Sequence, residues 1–425
     1  MRWTLPANGC ILLIYAIKEE ERTMKKKLFL LLVLTALALA LCACGAGQTA
    51  AEPTPEPTPE PTPTPFPEPV MVQGGEVYMD GQALAGGRLI QNGEEYIKLS
   101  EAAEALGSAL QHEADSEDFA FAWRKSTVEL SASSRTARYL DQDRELDAAP
   151  LLCDGGADLY VPVKSFCDAA EIGYFFDEEY DTVYCTPATG NWTLPENYVV
   201  AVMMYHELGH ASEEANLFVD VSSLEEQIQF LQENGFTPIW FEDLWHVEDF
   251  SKPVILVFDD GYKSMYTKLL PVLEKYQCKA EVAVVQRYSE KVGGMHMDLD
   301  EVLALNDSGL VALSSHGVNH VNVGEWGVDY EHEIRDSGIW MTRTLKKAPL
   351  TFVYPIGGST PAVQEVVRQY YRFGVKMVGN PFNTSNDPTM VYRFFIERQT
   401  SLPSYAYMLA KAFDDPSINN YVPRK

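Results

Sequence analysis

The chain has 425 residues, 46% of them apolar, and carries 33 Lys and Arg against 61 Asp and Glu, a formal net charge of −28. This composition is typical of chains that bury ordinary hydrophobic cores, and with 7 cysteines it excludes both a disordered polymer and a fold held by disulfides. The negative field repels phosphate backbones and anionic lipid headgroups, and no basic stripe reverses it. Nucleic-acid binding is therefore disfavoured as a function.

The N-terminal segment has the pattern of an export signal. Three lysines follow Met24, and an apolar run from Leu28 to Cys44 comes next, at the short limit for a membrane-spanning helix. The run ends in Leu-Cys-Ala-Cys-Gly, which resembles the cleavage box of bacterial lipoproteins, where the cysteine after the small residues is acylated. We expect residues 24–43 to be a lipoprotein signal peptide, and Cys44 to anchor an extracellular protein to the membrane. A plain secretory signal cut nearby is the alternative.

Two further segments flank this signal. Residues 1–23 fit neither a signal nor a domain, and we interpret them as an extension in the gene model. Residues 44–70 are predicted to be a linker, because the Glu-Pro-Thr-Pro repeats of residues 52–69 have no apolar face to bury and favour extended polyproline II. About 18 such residues reach roughly 55 Å, the scale of a cell-wall layer.

Residues 71–190 contain an internal repeat. Tyr96–Leu99 leads to Gly107, and Tyr160–Val163 leads to Gly173, so that each copy reads as strand, short helix, glycine stop and strand. The pattern predicts a small α+β repeat module. It resembles the stalk-type domain named after the copper amine oxidase N-terminus, which implies a spacer or wall-binding role without chemistry.

Three cysteines fall in this module. Cys153, Cys167 and Cys185 permit one disulfide with one thiol left over, or they are small buried residues. We favour burial, and the sequence leaves any pairing open.

From residue 197 onward the chain alternates strand and helix. Helical patterns separate most of the apolar runs of strand length, which are Val199–Tyr205, Thr237–Trp240, Val254–Phe258, Ala280–Val285, Leu310–Leu313, Leu350–Tyr354 and Val375–Val378. Seven such strands indicate a parallel sheet covered on both faces, and about 210 residues suffice to close it into a barrel. We therefore expect residues 197–425 to form an α/β barrel whose chemistry lies at the carboxyl ends of the strands.

The helical patterns have recognisable ends. Ser223 and Glu226 fit a capping box and Gly235 fits a stop signal, which predicts a helix between them. Further helices are predicted at Met265–Lys275 and Tyr330–Lys347.

Two adjacent carboxylates follow one of the buried strands. The run Val254–Phe258 leads directly into Asp259 and Asp260. Two like charges at this place are unfavourable without a cation, whereas a metal ion held by one carboxylate relieves the repulsion and leaves the other free to accept a proton. A solvated acidic turn is the alternative explanation for an Asp-Asp-Gly sequence on its own.

Two histidines follow another predicted strand. His316 and His320 come just after Leu310–Leu313, and their nitrogens suit zinc or a neighbouring transition metal. A chance pair is the alternative, since the chain has 8 histidines. Because the carboxyl ends of parallel strands meet on one rim, we expect the aspartate pair and the histidine pair to converge.

A competing motif lies earlier in the chain. Residues 206–210, His-Glu-Leu-Gly-His, match the HExxH pattern in which two histidines of one helix bind zinc and the glutamate activates water. Here the preceding apolar run reads as a strand ending at His206, Gly209 weakens a helix, and no HxxGxxH extension follows. A zinc peptidase with Glu225 or Glu226 as a distant ligand is kept as a minor alternative.

In their observed order these motifs resemble those of the polysaccharide deacetylases of carbohydrate esterase family four. The similarity spans residues 197 to about 412 and includes Met204-Tyr205-His206, Phe241–Leu244, Ser315-His316 and Tyr354-Pro355. The arrangement is most similar to the branch that acts on poly-N-acetylglucosamine. This resemblance implies a distorted (β/α)7 barrel.

Carried over to this chain, the family pattern implies a role for each site residue. Asp260, His316 and His320 would bind a divalent metal, with Zn²⁺ expected first and Co²⁺ or Ni²⁺ as alternatives. Asp259 would be the base that takes a proton from the attacking water. His206 would be the acid that protonates the departing amine, and a structural histidine is the alternative.

The resemblance also implies a substrate-binding group. Tyr354 and Pro355 would line the acetyl pocket and help to hold the oxyanion, and Arg393 matches a late family arginine that orients a carboxylate in the site. Family members usually have Ser or Thr where Gly317 stands, a departure that touches the hydrogen bonds orienting the metal-binding histidines.

The sequence therefore predicts a metal-dependent hydrolase that removes N-acetyl groups from N-acetylglucosamine-containing surface or cell-wall polysaccharide. The alternative from another class is a wall-associated carbohydrate-binding protein with little turnover, against which the presence of the complete residue set argues. The partners of the predicted hydrolase would be that glycan and, through the lipid on Cys44, the membrane. The glycan, the physiological metal and the oligomeric state are left open.

Overall fold

The computed structural model describes residues 68–114, 116–209 and 217–420, and these belong to one compact unit. The predicted signal peptide, Cys44 and most of the linker lie outside the described residues. Within the described ranges, no helix has both the length and the apolar character needed to cross a membrane.

Short strands and two seven-residue helices build the described part of the N-terminal module. The helices are α1 Leu99–Ala105 and α2 Val163–Ala169. The strands are β1 Val72–Gln73, β2 Val77–Met79, β3 Gln82–Ala83, β4 Leu89–Gln91, β5 Glu94–Lys98, β6 Gln111–His112, β7 Asp118–Trp123, β8 Ser126–Ser131, β9 Thr136–Tyr139, β10 Gln142–Glu145, β11 Leu151–Cys153, β12 Asp158–Pro162, β13 Gly173–Asp177 and β14 Thr182–Thr186. They form sheets in the orders β1-β4-β5-β12-β11, β10-β9-β8-β7-β6 and β13-β14-β2-β3.

The two copies of the repeat are strand-helix units that pair with each other. β5 leads into α1 and β12 into α2, and the two strands are antiparallel neighbours with Lys98 opposite Tyr160. Gly107 has a φ of 73° after α1, as expected for a glycine stop. In the second copy Glu171 has the positive φ, of 56°, and Gly173 opens β13, so the predicted stop at Gly173 is wrong by two residues.

The cysteines of the module are buried free thiols. Cys153, Cys167 and Cys185 have no disulfide partner among the described residues. Cys167 and Cys185 pack in one hydrophobic cluster, and burial raises the pKa of Cys153 to about 12, which keeps its thiol protonated at neutral pH.

Parallel strands after residue 198 close into a barrel. The wall strands are β15 Val199–Tyr205, β19 Pro253–Phe258, β20 Ala280–Val284, β21 Val311–Ser315, β22 Thr351–Val353, β23 Phe373–Val378 and β25 Val391–Phe395. Among the described residues these seven follow the order β19-β20-β21-β22-β23-β25-β15, and β15 pairs with β19 to complete the ring. Short strands lie outside the wall: β16 Glu207–Leu208, β17 Phe218–Val219, β18 Thr237–Pro238 and β24 Phe382–Asn383. The predicted (β/α)7 barrel is confirmed.

One wall strand differs from the prediction. The apolar run Thr237–Trp240 forms only the two-residue β18, which pairs with the amino end of β19 outside the wall. The seventh wall strand is instead β25, between β23 and β15. The apolar pattern does not reveal β25, because Arg393 stands in its centre. Arg393 is completely buried, and a charged residue interrupts the continuous apolar run by which a central parallel strand is recognised.

Helices cover the outside of the barrel. They are α3 Val221–Glu233, α4 Leu270–Tyr276, α5 Gln286–Ser289, α6 Leu299–Asp307, α7 Tyr330–Leu345, α8 Pro361–Tyr370 and α9 Leu402–Phe413, and a π-helical turn over Met265–Leu269 leads into α4. α3 begins two residues before Ser223, with Asp220 at its N-cap and no side-chain cap hydrogen bond. The predicted capping box is therefore wrong, whereas Gly235, with a φ of 71°, follows the end of α3 as expected.

Alternate residues of the wall face two different hydrophobic clusters. Val202 and Val257 join the cluster that fills the barrel, whereas Met203 and Phe258 pack with α3 and α9. Because both faces are covered, the wall strands are mostly apolar, and the buried Glu281 of β20 and Arg393 of β25 are charged exceptions.

An ion pair joins the module to helix α7. Arg343 donates from Nε and Nη2 to the carboxylate of Asp177, at 2.6 and 3.0 Å, and from Nη2 to Glu179 at 2.7 Å. The side chain of Asp177 is 3% exposed and that of Arg343 is 31% exposed. Hydrogen bonding from Arg343 lowers the pKa of Asp177 in spite of the burial, so the folded state favours the charged carboxylate.

Replacing this carboxylate tests how firmly the ion pair supports the fold. Asp177→Asn should lower the free energy of unfolding by about 1.5–3 kcal/mol near neutral pH, because charge-assisted hydrogen bonds are lost. The folded-state pKa lies below the unfolded value, so this contribution is complete above about pH 4 and disappears as the pH falls through the folded-state pKa. Denaturant titrations of both proteins near neutral pH and at about pH 3 measure the difference, which should shrink at the lower pH.

The control variant for this experiment is on the same helix. Arg335 pairs with Asp336 at 2.7 Å, with side chains 40% and 35% exposed, and Arg335→Ala should cost less than about 1 kcal/mol. Equal decreases in the free energy of unfolding in Asp177→Asn and Arg335→Ala would show that the ion pair with Arg343 stabilises the fold no more than an exposed ion pair does.

Candidate metal and catalytic site

The predicted site residues come together at the carboxyl ends of the wall strands. Asp259 and Asp260 follow β19, His316 follows β21, and His206 follows β15. Non-glycine residues with positive φ occur here: Asp260 has a φ of 71° and His320 one of 56°. Backbone in this region is disfavoured for such residues, and in the described chain it also occurs at turns outside the site, such as Asn92 and Gln277.

Asp260, His316 and His320 form a cluster of potential metal ligands. One ligand atom from each lies within 4.8 Å of the others. Asp260 Oδ1 is 3.3 Å from His316 Nε2 and 3.0 Å from His320 Nε2. Nitrogen and oxygen ligands about 2.1 Å from one transition-metal ion are themselves roughly 3 Å apart, so this spacing fits a shared cation.

The polar atom at the centre of this cluster supports the same conclusion. Asp260 Oδ1 is buried and accepts no hydrogen bond of normal geometry from the described residues, although an orphaned carboxylate oxygen is costly. Burial alone would raise the pKa of Asp260, but His316 and His320 outweigh it and hold that pKa well below its ordinary value. A charged oxygen with two imidazole nitrogens beside it is a donor set that suits zinc and its neighbours.

A carbonyl group orients the first histidine. His316 Nδ1 lies 2.7 Å from the backbone oxygen of Val353 in the neighbouring strand β22. This contact assigns the proton to Nδ1, which then donates to the carbonyl and leaves the lone pair of Nε2 directed toward Asp260.

A buried carboxylate holds the loop that carries the second histidine. Glu333 of α7 accepts hydrogen bonds from the backbone nitrogens of Val318 and Asn319, at 2.9 and 2.8 Å, and from Asn319 Nδ2 at 2.6 Å. A β-carbon at Gly317 would lie 3.1 Å from Glu333 Oε2, and Gly317 has a φ of 80°. Glycine therefore suits this position, and Glu333 supplies hydrogen bonds that orient the loop. Sequence patterns do not reveal Glu333, because it belongs to no motif.

Asp259 is held by an arginine of β25, which is separated from β19 by the single strand β15. Arg393 donates from Nη1 and Nη2 to the two carboxylate oxygens of Asp259, at 2.6 and 2.8 Å, and from Nε to the carbonyl of Lys376 at 2.8 Å. Burial would raise the pKa of Asp259, but the Arg393 charge outweighs it and lowers the pKa. Arg393 is completely buried and orients this carboxylate, as the sequence resemblance implied; its grouping with the substrate-binding residues stays a prediction.

His206 lies beside the two aspartates. Its Nδ1 is buried and forms no hydrogen bond with the described residues. Burial lowers the pKa of His206, and the negative charges of Asp259 and Asp260 raise it in part. The imidazole is therefore placed where it can exchange a proton with a group that enters the site.

The HExxH segment does not form the helix that a zinc peptidase needs. Glu207 and Leu208 belong to β16, where they pair with Phe218 and Val219 of β17. His210 lies outside the described residues. An extended backbone turns adjacent side chains to opposite faces, so this segment lacks the helical face that the peptidase motif requires.

Tyr354 occupies a different place from the expected one. It is 1% exposed, its hydroxyl donates to the carbonyl of Thr389 at 3.0 Å, and its backbone N–H donates to that of Val375 at 2.9 Å. The Tyr354 side chain packs outside the wall, so of the expected acetyl pocket and oxyanion contacts, those from the backbone around Tyr354 stay a prediction. Pro355 lies near the histidine loop, since a β-carbon at Gly317 would be 3.5 Å from its Cγ.

Comparisons with known proteins agree with this arrangement. Residues 246–375 match the family model of polysaccharide deacetylase. The chain is 26% identical over 262 residues to the poly-β-1,6-N-acetyl-D-glucosamine N-deacetylase of Escherichia coli strain K12, a match that covers 51% of this chain and 39% of the relative. The chain thus matches well under half of the length of that relative.

Solved structures with similar backbones include two deacetylases. One, from Streptococcus pyogenes in complex with acetate, is 22% identical with a TM-score of 0.47 over 50% of this chain and 99% of that chain. The other, a polysaccharide deacetylase from Bacillus cereus, is 18% identical with a TM-score of 0.47 over 71% of this chain and 99% of that chain. On the family match and the sequence homology, this chain contains a polysaccharide deacetylase domain related to the poly-β-1,6-N-acetylglucosamine deacetylases.

Proposed function

We propose that the protein is a metal-dependent deacetylase that removes N-acetyl groups from N-acetylglucosamine-containing polysaccharide of the cell surface or wall. The observation that carries this proposal is the convergence of Asp260, His316 and His320 on one point, next to a second carboxylate, Asp259, that a buried arginine holds in place. The match to the E. coli deacetylase supports the choice of an N-acetylated glycan as substrate.

Asp260, His316 and His320 would hold the metal, with Zn²⁺ expected first and Co²⁺ or Ni²⁺ as alternatives. Bound there, a divalent ion supplies Lewis acidity toward an amide carbonyl and toward a water molecule. His316 Nδ1 donates a hydrogen bond to Val353, and Glu333 accepts hydrogen bonds from the histidine loop; together these contacts orient both imidazoles for metal binding.

The remaining side chains handle protons. Asp259 is charged at neutral pH because Arg393 stabilises its carboxylate, so it can take the proton of the attacking water. Both of its oxygens accept from Arg393, which fixes the orientation of the carboxylate. His206 would give a proton to the departing amine; burial lowers its pKa, and the charges of Asp259 and Asp260 offset part of that shift.

We further propose that the folded part works outside the cell, tethered by a lipid on Cys44 and spaced from the membrane by residues 44–70. The support is the charged start, apolar run and cysteine box of residues 24–45, followed by the Glu-Pro-Thr-Pro repeat.

Two variants separate the proposed base from the proposed ligands. Asp259→Asn should reduce acetate release from a Zn²⁺-loaded chitin oligomer assay by roughly 10²- to 10⁴-fold with unchanged metal content, because the base is lost and the ligands remain. His320→Ala should lose metal as well as activity. His210→Ala is the control and should retain bound zinc; loss of zinc in His210→Ala but not in His320→Ala would favour the peptidase.

No acetate from metal-loaded wild-type protein on several glycans would favour the carbohydrate-binding alternative.

The role of Glu333 can be measured through the metal itself. Glu333→Gln keeps one oxygen that can accept from the two backbone N–H groups, but it removes the carboxylate charge and sets an NH2 group against Asn319 Nδ2. The histidine loop should therefore loosen, and zinc affinity should fall by roughly 10- to 100-fold in chelator competition. Glu331→Gln, at a carboxylate 59% exposed on the same helix, is the matched control and should bind zinc as wild type does. Equal zinc affinities in wild type, Glu333→Gln and Glu331→Gln would show that Glu333 does not support metal binding.

The tether is tested in a bacterial host. With an alkyne-tagged fatty acid, wild-type protein should be labelled and found with the membrane, whereas Cys44→Ser should be unlabelled and released, because the acylated thiol is absent. Unlabelled wild-type protein in the medium would support the plain secretory signal.

A further inference from the structure

Several exposed apolar side chains lie on the segments that follow the wall strands of the proposed metal site. Trp326, in the loop after β21, is 97% exposed, Met295 is 58% exposed, Ile356 is 59% exposed and Met377 is 39% exposed. With the half-buried Tyr288 they lie on the loops after β20, β21 and β22 and at the end of β23, and we call these five residues the rim surface. Large aromatic side chains are usually mostly buried, and apolar residues gathered at one place on a surface mark a binding site.

The loops that carry the rim surface are packed against each other. A β-carbon at Gly324 would lie 2.9 Å from the backbone nitrogen of Ser359, and one at Gly357 would lie 2.6 Å from Cγ of Met377. Such close approach joins the loops after β21 and β22 to the end of β23. Trp326, Ile356 and Met377 therefore lie on segments that contact one another.

Tyr288 is part of an aromatic stack next to a proposed metal ligand. Its ring centroid is 4.2 Å from that of His296 with an interplanar angle of 25°, and His296 is in turn 4.9 Å from Tyr262 at 23°. The Tyr288 ring is 6.2 Å from the ring of His320. Stacking on His296 thus fixes the orientation of a partly exposed tyrosine at the mouth of the site.

Backbone hydrogen bonds tie this stack to the aspartate turn. Lys263 N donates to the carbonyl of Met295 at 2.8 Å, and Met297 N donates to that of Gly261 at 2.9 Å, on either side of the bridge between Tyr262 and His296. Gly261 directly follows Asp260. The position of Tyr288 is therefore linked to the backbone that presents the proposed ligand, which pre-organises the two for one substrate.

We propose that the rim surface binds the polysaccharide beyond the reacting unit, with Tyr288 stacking on the sugar next to the metal cluster and Trp326 on a more distant sugar. This proposal rests on the proposed function. A pyranose ring presents a flat face of C–H groups edged by hydroxyls, and a rigid aromatic ring covers such a face at low cost in conformational entropy. His296 is a positioning residue, because it orients the Tyr288 ring.

The experiment compares a dimer and a hexamer of N-acetylglucosamine as substrates of the Zn²⁺-loaded full chain. Trp326→Ala should raise KM for the hexamer by about 3- to 10-fold and leave the dimer unaffected, whereas Tyr288→Ala should raise KM for both, with kcat and metal content preserved. Tyr407→Ala removes an aromatic ring that is 60% exposed on α9 and should match wild type.

The positioning role of His296 has its own readout. His296→Ala should reproduce the KM increase of Tyr288→Ala, and His296→Phe should restore wild-type KM, because a phenyl ring still stacks between the two tyrosines. A loss of kcat or of bound zinc in His296→Phe would show that the imidazole acts chemically, and would overturn its assignment as a stacking partner.

The outcomes separate this proposal from the proposed function. If wild-type protein releases acetate and neither Trp326→Ala nor Tyr288→Ala changes KM for the hexamer, the rim proposal falls and the function stands. If wild-type protein binds the hexamer through Trp326 without releasing acetate, the function falls and the rim proposal stands. A change of oligomeric state in Trp326→Ala with unaltered hexamer binding would assign the rim surface to a second copy of the chain and overturn the proposal.

Discussion

The repulsion between two neighbouring buried carboxylates is the constraint around which the site is organised. Asp259 and Asp260 leave the same strand end, and neither charge could be buried without a partner. Arg393 neutralises the first with two hydrogen bonds, and the imidazoles of His316 and His320 face the second. The two aspartates therefore differ in function. The fixed arginine keeps Asp259 charged and oriented as a base, whereas the imidazole lone pairs beside Asp260 can bind a cation together with it.

Apolar patterning revealed most of the barrel because parallel wall strands are buried on both faces. The predicted run at Val199–Tyr205 has the bounds found for β15, and the run before Asp259 lies in β19. The run Leu310–Leu313 starts one residue before β21 and ends two residues before its last residue. The strand that carries Arg393 was not predicted, since the residue that matters most to Asp259 is also the one that breaks the apolar pattern. A strong local signal likewise misplaced the start of α3, because the cap is set by Asp220 and not by the Ser223 box.

Site residues could be predicted where the end of a strand determines their position. They were harder to predict where contacts between distant parts of the chain determine it. Asp260 and His316 follow strands, so barrel topology alone brings them to one rim. Glu333 reaches the site from a helix, through hydrogen bonds to a loop distant in sequence, and no local pattern encodes that contact. Tyr354 shows the converse case: its motif is present, yet strand alternation turns its side chain away from the cluster and into the outer core.

The division between wall and loops has a consequence for how such a domain selects its polymer. Backbone in a disfavoured conformation at Asp260 and His320 persists only where the surroundings over-determine it, and here the β bridge at Tyr262 and the carboxylate of Glu333 do so. Trp326, by contrast, is almost fully exposed, so substituting it changes a contact surface without changing the packing beneath. On the proposed role of the rim surface, glycan preference can vary at Trp326 while the reacting cluster stays intact, whereas Tyr288 is tied to the turn that carries Asp260 and is less free to change.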